Sequence, residues 1–168
     1  SVINGAVEVA DNSGAEIIAL GDTSLDQIKL DGTAASLSLW PGSSTPKNLT
    51  VNAITGTGTV TSSQGPGNIG LNGVQLVGSL AFNHPGNTTL ANTIHTTGSQ
   101  TYGTPVALAA DTNVISDTGP LTFGGAVTGA SNLALQSGGD ITMNNTGNAL
   151  SGTVSATGHN VSLVSAST

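Results

Sequence analysis

Short aliphatic–polar–aliphatic triplets recur along this chain, each followed closely by Gly, Asn, Asp, Ser or another small residue. Val7-Glu8-Val9, Ile28-Lys29-Leu30, Leu37-Ser38-Leu39 and Leu49-Thr50-Val51 come first. Val106-Ala107-Leu108, Leu121-Thr122-Phe123, Leu133-Ala134-Leu135, Ile141-Thr142-Met143 and Val161-Ser162-Leu163 follow. Alternation with period two, closed by turn residues, marks a β-strand with one buried face. The triplets predict strands of only three to five residues. No stretch keeps a helical period beyond two turns.

The spacing of the triplets sets the architecture. Val106 and Val127 lie 21 residues apart, Val114 and Leu133 lie 19 apart, and Leu121 and Ile141 lie 20 apart. Three strands thus recur with a period of about 20 residues, within the range of solenoid repeats. Beyond Ile141 the period is expected to lengthen, from Leu133 to Val161, with Asn144–Asn148 forming an extra loop. In a parallel β-solenoid, inward Val, Ile and Leu stack on their equivalents in neighbouring rungs. Gly, Asn and Asp supply the unusual backbone angles of the corners. Outward Thr and Ser suit an exposed pleated surface. The expected fold is therefore all-β, a parallel β-helix with three short strands per rung. A β-sandwich or jelly roll is the alternative.

Composition supports this choice and narrows function. Gly, Thr, Ser and Asn make up 82 of 168 residues, while Glu and Lys number two each, which argues against a helical bundle. Leu, Ile, Val and Phe reach 40 residues, above the roughly 20% level below which chains tend to be disordered. Charged residues are 7%, against about 25% in an ordinary domain. With two Lys and no Arg, nucleic-acid binding is not expected, because phosphate recognition depends on basic side chains. No Cys is present, so no disulfide, thiolate metal site or thiol nucleophile is available. No apolar run approaches the ~20 residues of a membrane helix. The chain starts at Ser1 without a signal peptide and reads as a processed chain or a segment of a longer one.

Residues 1–168 are expected to form a single solenoid segment. Six of the nine acids (Glu8, Asp11, Glu16, Asp22, Asp26 and Asp31) fall in residues 1–31, and residues 32–110 hold none. A distinct acidic N-terminal part, 1–45, followed by a repeat-like part, 46–168, is compatible with that asymmetry.

Thr97-Gly98-Ser99-Gln100-Thr101-Tyr102 leads into Val106-Ala107-Leu108 and Asp111-Thr112-Asn113-Val114. Leu121-Thr122-Phe123-Gly124-Gly125-Ala126-Val127 and Ala130-Ser131-Asn132-Leu133-Ala134-Leu135 come next. This succession resembles the repeats of filamentous-haemagglutinin-type exoproteins, the two-partner-secretion adhesins of Gram-negative bacteria. The resemblance covers about residues 97–165, with an echo at Asn48-Leu49-Thr50-Val51, and the first 45 residues match less well. It implies a right-handed parallel β-helix in a secreted or surface-exposed bacterial protein. Attachment to cells, surfaces or biofilm matrix follows as its implied role. Implied partners are host-cell or matrix glycans and proteins, and an outer-membrane secretion partner. Uncovered solenoid ends add a further partner, the chain itself end to end.

Residues able to carry chemistry are few, and no cofactor is expected. Glycosidase chemistry needs two carboxylates about 5–10 Å apart; Asp111, Asp117 and Asp140 are the candidates, and turn roles suit them better. His84, His95 and His159 lack metal-ligand spacing. His84-Pro85-Gly86-Asn87 and Gly158-His159-Asn160 read as turns. Asp22 with Asp26, and Asp11 with Glu16, are close in sequence but lie in no recognisable site, and calcium at Asp22 and Asp26 would lie outside any recognised loop. Sequons place glycosylation at Asn48, Asn87, Asn144 or Asn160. Trp40 and Tyr102 could stack on sugars or simply pack. Outward Thr ladders such as Thr57-Gly58-Thr59 could bind ice or a regular polysaccharide, but that needs the same Thr spacing in successive rungs, and this sequence does not keep it. The chain is thus expected to be an adhesive or structural module, with a self-assembling filament subunit or a carbohydrate- or ice-binding module as alternatives, and not an enzyme.

Overall fold

The computed structural model describes residues 1–10, 13–32 and 35–165. Among them 17 strands form one continuous parallel stack with no helix. The stack is a β-solenoid of about 7 turns, roughly 21 residues per turn. Each rung carries three strand positions, so the stack has three faces.

The faces follow from register. On face A, Leu25, Val51, Leu71, Leu90 and Leu108 succeed one another inward. On face B the inward column is Ile28, Ile54, Val74, Ile94, Val114 and Leu135. On face C it is Val60, Leu80, Gln100, Leu121, Ile141 and Val161. Apart from Gln100 and Val161, these are buried apolar side chains. Each fully buried Val, Leu or Ile contributes about 1.5–3 kcal/mol by leaving water. The repeat thus supplies one continuous core from a thin cross-section.

Two expectations about strands are corrected. Several do match a triplet, such as Leu121–Phe123 and Ile141–Met143. Leu49–Ser62, however, runs 14 residues and Val106–Ser116 runs 11. These strands continue through a corner and belong to two faces. Gly56 permits this within Leu49–Ser62: its φ is +106°, and a Cβ there would lie 1.9 Å from the carbonyl oxygen of Leu30.

The rung spacing also differs in detail. Val106 pairs with Val127, and Leu121 pairs with Ile141, as the spacing predicts. Val114 pairs with Leu135 and not with Leu133. Leu133 pairs with Val154, and Val161 pairs with Ile141, so the period does not lengthen after Ile141. Asn144–Asn148 is an ordinary corner. The extra residues lie elsewhere: Leu25 and Val51 are partners 26 positions apart, whereas Val51 and Leu71 are 20 apart. Three of the six extra positions fall between Ile28 and Leu37, and the other three enlarge the loop between Trp40 and Leu49. Columns on faces A and B resume in register after it, so the acidic N-terminal rungs belong to the same stack.

The core is less purely aliphatic than a narrow solenoid suggests. Phe82, Tyr102 and Phe123 stack along face C, with ring centroids 6.2 and 5.0 Å apart. Tyr102 is fully buried and donates its hydroxyl to Gln100 Oε1 at 2.7 Å. Gln100 Nε2 donates to the carbonyls of Ile94 and Ile115.

Candidate functional site

The candidate site is the outward surface of face C. In a triplet such as Leu121-Thr122-Phe123 the flanking residues point inward and the middle one points to solvent. Register then stacks the middle residues. Glu16, Ser38, Thr61, Ala81, Thr101, Thr122, Thr142 and Ser162 form one file, a residue per rung. Neighbouring strands lie about 4.8 Å apart, so Thr101, Thr122, Thr142 and Ser162 present four hydroxyls at that repeat. This corrects the expectation that Thr positions fall out of register. Thr57-Gly58-Thr59 lies at the corner between faces B and C and forms no such file, because its register partners are Val77-Gly78-Ser79. Glu16, Ser38 and Thr61, at the N-terminal end of the file, line a surface hollow of about 550 Å³. Trp40 lies beside it, half-buried, with Nε1 donating to Ser38 Oγ at 2.7 Å.

The carboxylates singled out by sequence have structural engagements. Asp111 Oδ1 accepts the backbone N–H of Asn132 at 2.8 Å, and Oδ2 accepts Asn132 Nδ2 at 3.0 Å. These bonds, the backbone one foremost, hold its carboxyl below the usual range. Asp140 Oδ1 accepts Asn160 Nδ2 at 2.8 Å and lies 3.3 Å from His159 Nδ1. The Asn160 side chain, then His159, lowers its pKa. Asp117 Oδ1 lies 2.8 Å from His95 Nε2, and His95 Nδ1 lies 2.8 Å from Gln75 Nε2. Asp111 sits between faces A and B, while Asp117 and Asp140 sit between B and C. Asp117 bonds to the preceding rung and Asp140 to the following one. Asp117 and Asp140 therefore lie at the same corner on successive rungs, and Asp111 lies at a different corner.

Other candidates are similarly placed. Asp22 Oδ1 accepts the backbone N–H of Asn48 at 2.9 Å, and Asp26 is exposed. Asp11 lies outside the described residues. Among the described residues no three His, Asp, Glu or Cys side chains gather at metal-binding distance. Lys29 pairs with Glu8 at 3.9 Å and Asp31 at 3.3 Å, all exposed. The four sequon residues Asn48, Asn87, Asn144 and Asn160 are exposed. Asn48 and Asn87 belong to a corner ladder through Asn68, whose Nδ2 donates to Asn48 Oδ1 and whose Oδ1 accepts the Asn87 N–H. Burial in the aromatic stack withdraws Tyr102 from any sugar-stacking role.

His84 is a turn residue, as expected, but it is buried. Its ring meets Phe82 edge-on at 6.3 Å, and its Nδ1 has no hydrogen-bond partner. Burial lowers its pKa, partly offset by a bond to the Asn87 carbonyl.

No protein-family model, curated protein or solved structure matches this chain. Among the described residues no helix is long and apolar enough to cross a membrane.

Proposed function

We propose that this chain is a structural and adhesive segment of a secreted or surface-exposed bacterial exoprotein, serving attachment to cells, surfaces or biofilm matrix. The observation carrying this reading is the unbroken three-column register from the first rung to the last. Such a stack makes a stiff spacer, because each rung is bonded to its neighbours along all three faces. Its turn carboxylates and carboxamides bond successive rungs to one another. The resemblance of residues 97–165 to filamentous-haemagglutinin-type repeats supports the same role and implies glycans or matrix proteins as partners. Beads coated with chain 1–168 should adhere to cultured epithelial cells or immobilised matrix glycans. Retention no greater than that of albumin-coated beads would overturn the adhesive role. Small-angle scattering from the monomer should give an elongated particle, and a spherical one would overturn the spacer role.

The file of hydroxyls on face C favours a second reading, a module that binds a regular polysaccharide or ice. The repeat of about 4.8 Å offers equally spaced donors and acceptors to a periodic ligand. Replacing Thr101, Thr122 and Thr142 together with Lys should abolish retention on insoluble polysaccharide, or thermal hysteresis, if this face binds. Parent protein with neither activity would remove this reading.

A further inference from the structure

The outer side of face A carries a pattern that the site on face C does not use. Asp22-Thr23-Ser24-Leu25-Asp26, Asn48-Leu49-Thr50-Val51-Asn52 and Asn68-Ile69-Gly70-Leu71-Asn72 stack on successive rungs. Asn87-Thr88-Thr89-Leu90 follows in register, and Asn92 closes that rung. Two polar ladders therefore run along the axis, one at each corner of the face, about 13 Å apart across four extended residues. Hydrogen bonds fix both. The Asn48 N–H donates to Asp22 Oδ1 at 2.9 Å, Asn68 Nδ2 to Asn48 Oδ1 at 3.1 Å, and the Asn87 N–H to Asn68 Oδ1 at 3.0 Å. In the other ladder Asn72 Nδ2 donates to Asn52 Oδ1, and Asn92 Nδ2 to the Asn72 carbonyl, both at 2.9 Å. Ala91 is an extra, buried residue in its rung, yet Asn92, at φ +61°, still turns its carboxamide over the rung before. Between the ladders lies a hollow of about 350 Å³, lined by Asn48, Thr50, Asn68, Gly70, Asn72 and Thr89. The trough lies in interior rungs, with paired strands before and after it.

We propose that this trough binds a neutral, extended, β-1,4-linked glycan lying along the solenoid axis. The proposal rests on the adhesive reading for the kind of partner, and it places the contact on face A. Three features select this occupant. The first is hydrogen-bonding chemistry. A carboxamide has two donors and two acceptor sites, and the ladder bonds of Asn68 use one of each. The remaining capacity of the exposed Asn48, Asn52 and Asn68 faces solvent, where it matches hydroxyl groups that both donate and accept. The second is charge. Residues 32–110 hold no acid and a single base, Lys47, and the carboxylates of Asp22 and Asp26 stand at one end of the trough. An anionic chain would meet repulsion there and find little to offset it. The third is shape. An extended β-1,4 chain advances by close to one rung spacing per sugar, so each ring meets one pair of ladder residues. Gly70 presents no side chain and keeps the floor low, while Thr50 and Thr89 supply hydroxyls on either side of it. The walls are held before any ligand arrives, which lowers the ordering cost of binding.

Isothermal titration of chain 1–168 with cellohexaose, mannohexaose and chitohexaose tests this. At least one of these neutral β-1,4 hexasaccharides should bind, whereas α-linked maltohexaose, which coils, and anionic hexagalacturonate should not. Gly70→Gln fills the floor and should abolish binding. The double variant Thr50→Val/Thr89→Val removes two hydroxyls at nearly constant shape and should weaken binding about tenfold. Circular dichroism verifies that each variant keeps its strand content. Replacing Thr101, Thr122 and Thr142 with Lys on face C should leave the affinity unchanged. No binding of any of the three hexasaccharides would overturn the proposal, and so would folded trough variants that bind like the parent. Loss confined to the face C variant would overturn it in favour of the hydroxyl file. Equal binding of maltohexaose or hexagalacturonate would overturn the extended, neutral character of the ligand. The adhesive reading is judged separately by the coated beads: beads that adhere while no hexasaccharide binds would remove the trough and leave that reading standing.

Discussion

Single residues in this fold are constrained mainly by the rung beside them. Gly56 shows this, because its positive φ and the Leu30 carbonyl together exclude a side chain. Gly56→Ala should cost at least about 1–3 kcal/mol, the range for strained backbone, read as a lower urea midpoint. Gly70→Ala is the control: its Cβ would lie 3.5 Å from the Thr50 side chain, an ordinary contact, and stability should change little. His84 gives the chain a dependence on mild acid. Its folded pKa lies below the unfolded value of about 6.5. Its neutral form is therefore favoured by folding, so the contribution is complete above that value and is lost as pH falls below it. The melting temperature should drop between neutral pH and pH 5. His84→Leu should flatten that drop while changing stability at pH 7 by no more than about 1–2 kcal/mol. Tyr102 acts at the other extreme. Burial raises its pKa, so stability is complete below the unfolded value of about 10 and declines above it. As the sole tyrosine, it should show phenolate absorbance only as the protein unfolds in alkali.

Strands and columns carry the next level of constraint, and the polar core of face C is their clearest case. Tyr102→Phe leaves Gln100 Oε1 without its donor in a buried setting and should cost about 1–3 kcal/mol by chemical denaturation. Tyr102→Ala should cost about 3–5 kcal/mol by also opening a cavity in the aromatic stack. Gln100 was legible in principle, since Gln100-Thr101-Tyr102 occupies the slot of Leu121-Thr122-Phe123. A polar residue between Ser99 and Thr101 gives little sign of pointing inward until the triplets are aligned. The period and the triplets were readable because alternation marks each strand. The finer register was not. A slip of one residue would turn the core face outward, but a slip of two leaves every inward residue inward. Alternation alone therefore fits Val114 to Leu133 as well as to Leu135. What decides is turn chemistry, Asp111 accepting the Asn132 backbone N–H and fixing the rung above it. The strand at Val154 carries a weak signal, because its second inward residue is only Ala156. The hydroxyl file was hidden for a similar reason: with 24 Thr in the chain, register alone separates Thr101, Thr122 and Thr142 from the rest.

At the scale of the whole molecule, stability is a sum over neighbouring rungs. Interior rungs have partners on both sides and end rungs on one. Amide hydrogen exchange should be slowest between about Leu71 and Phe123 and fastest in the first and last rungs, through local opening at the ends. Uniform protection across all rungs would contradict this. Added salt should change the urea midpoint only slightly, because the Lys29 pairs with Glu8 and Asp31 are exposed and such pairs are worth about 0–1 kcal/mol. The loop between Trp40 and Leu49 has a different bearing. The columns on either side of it agree although three more residues separate Leu37 from Val51 than Val60 from Leu71. Closing a longer loop adds only about 0.6 kcal/mol per doubling of its length. Foreign peptide grafted between Ser43 and Thr45, both exposed, would therefore be displayed from the side of the rod at a fixed height, a ready-made shelf for cargo on an otherwise plain shaft.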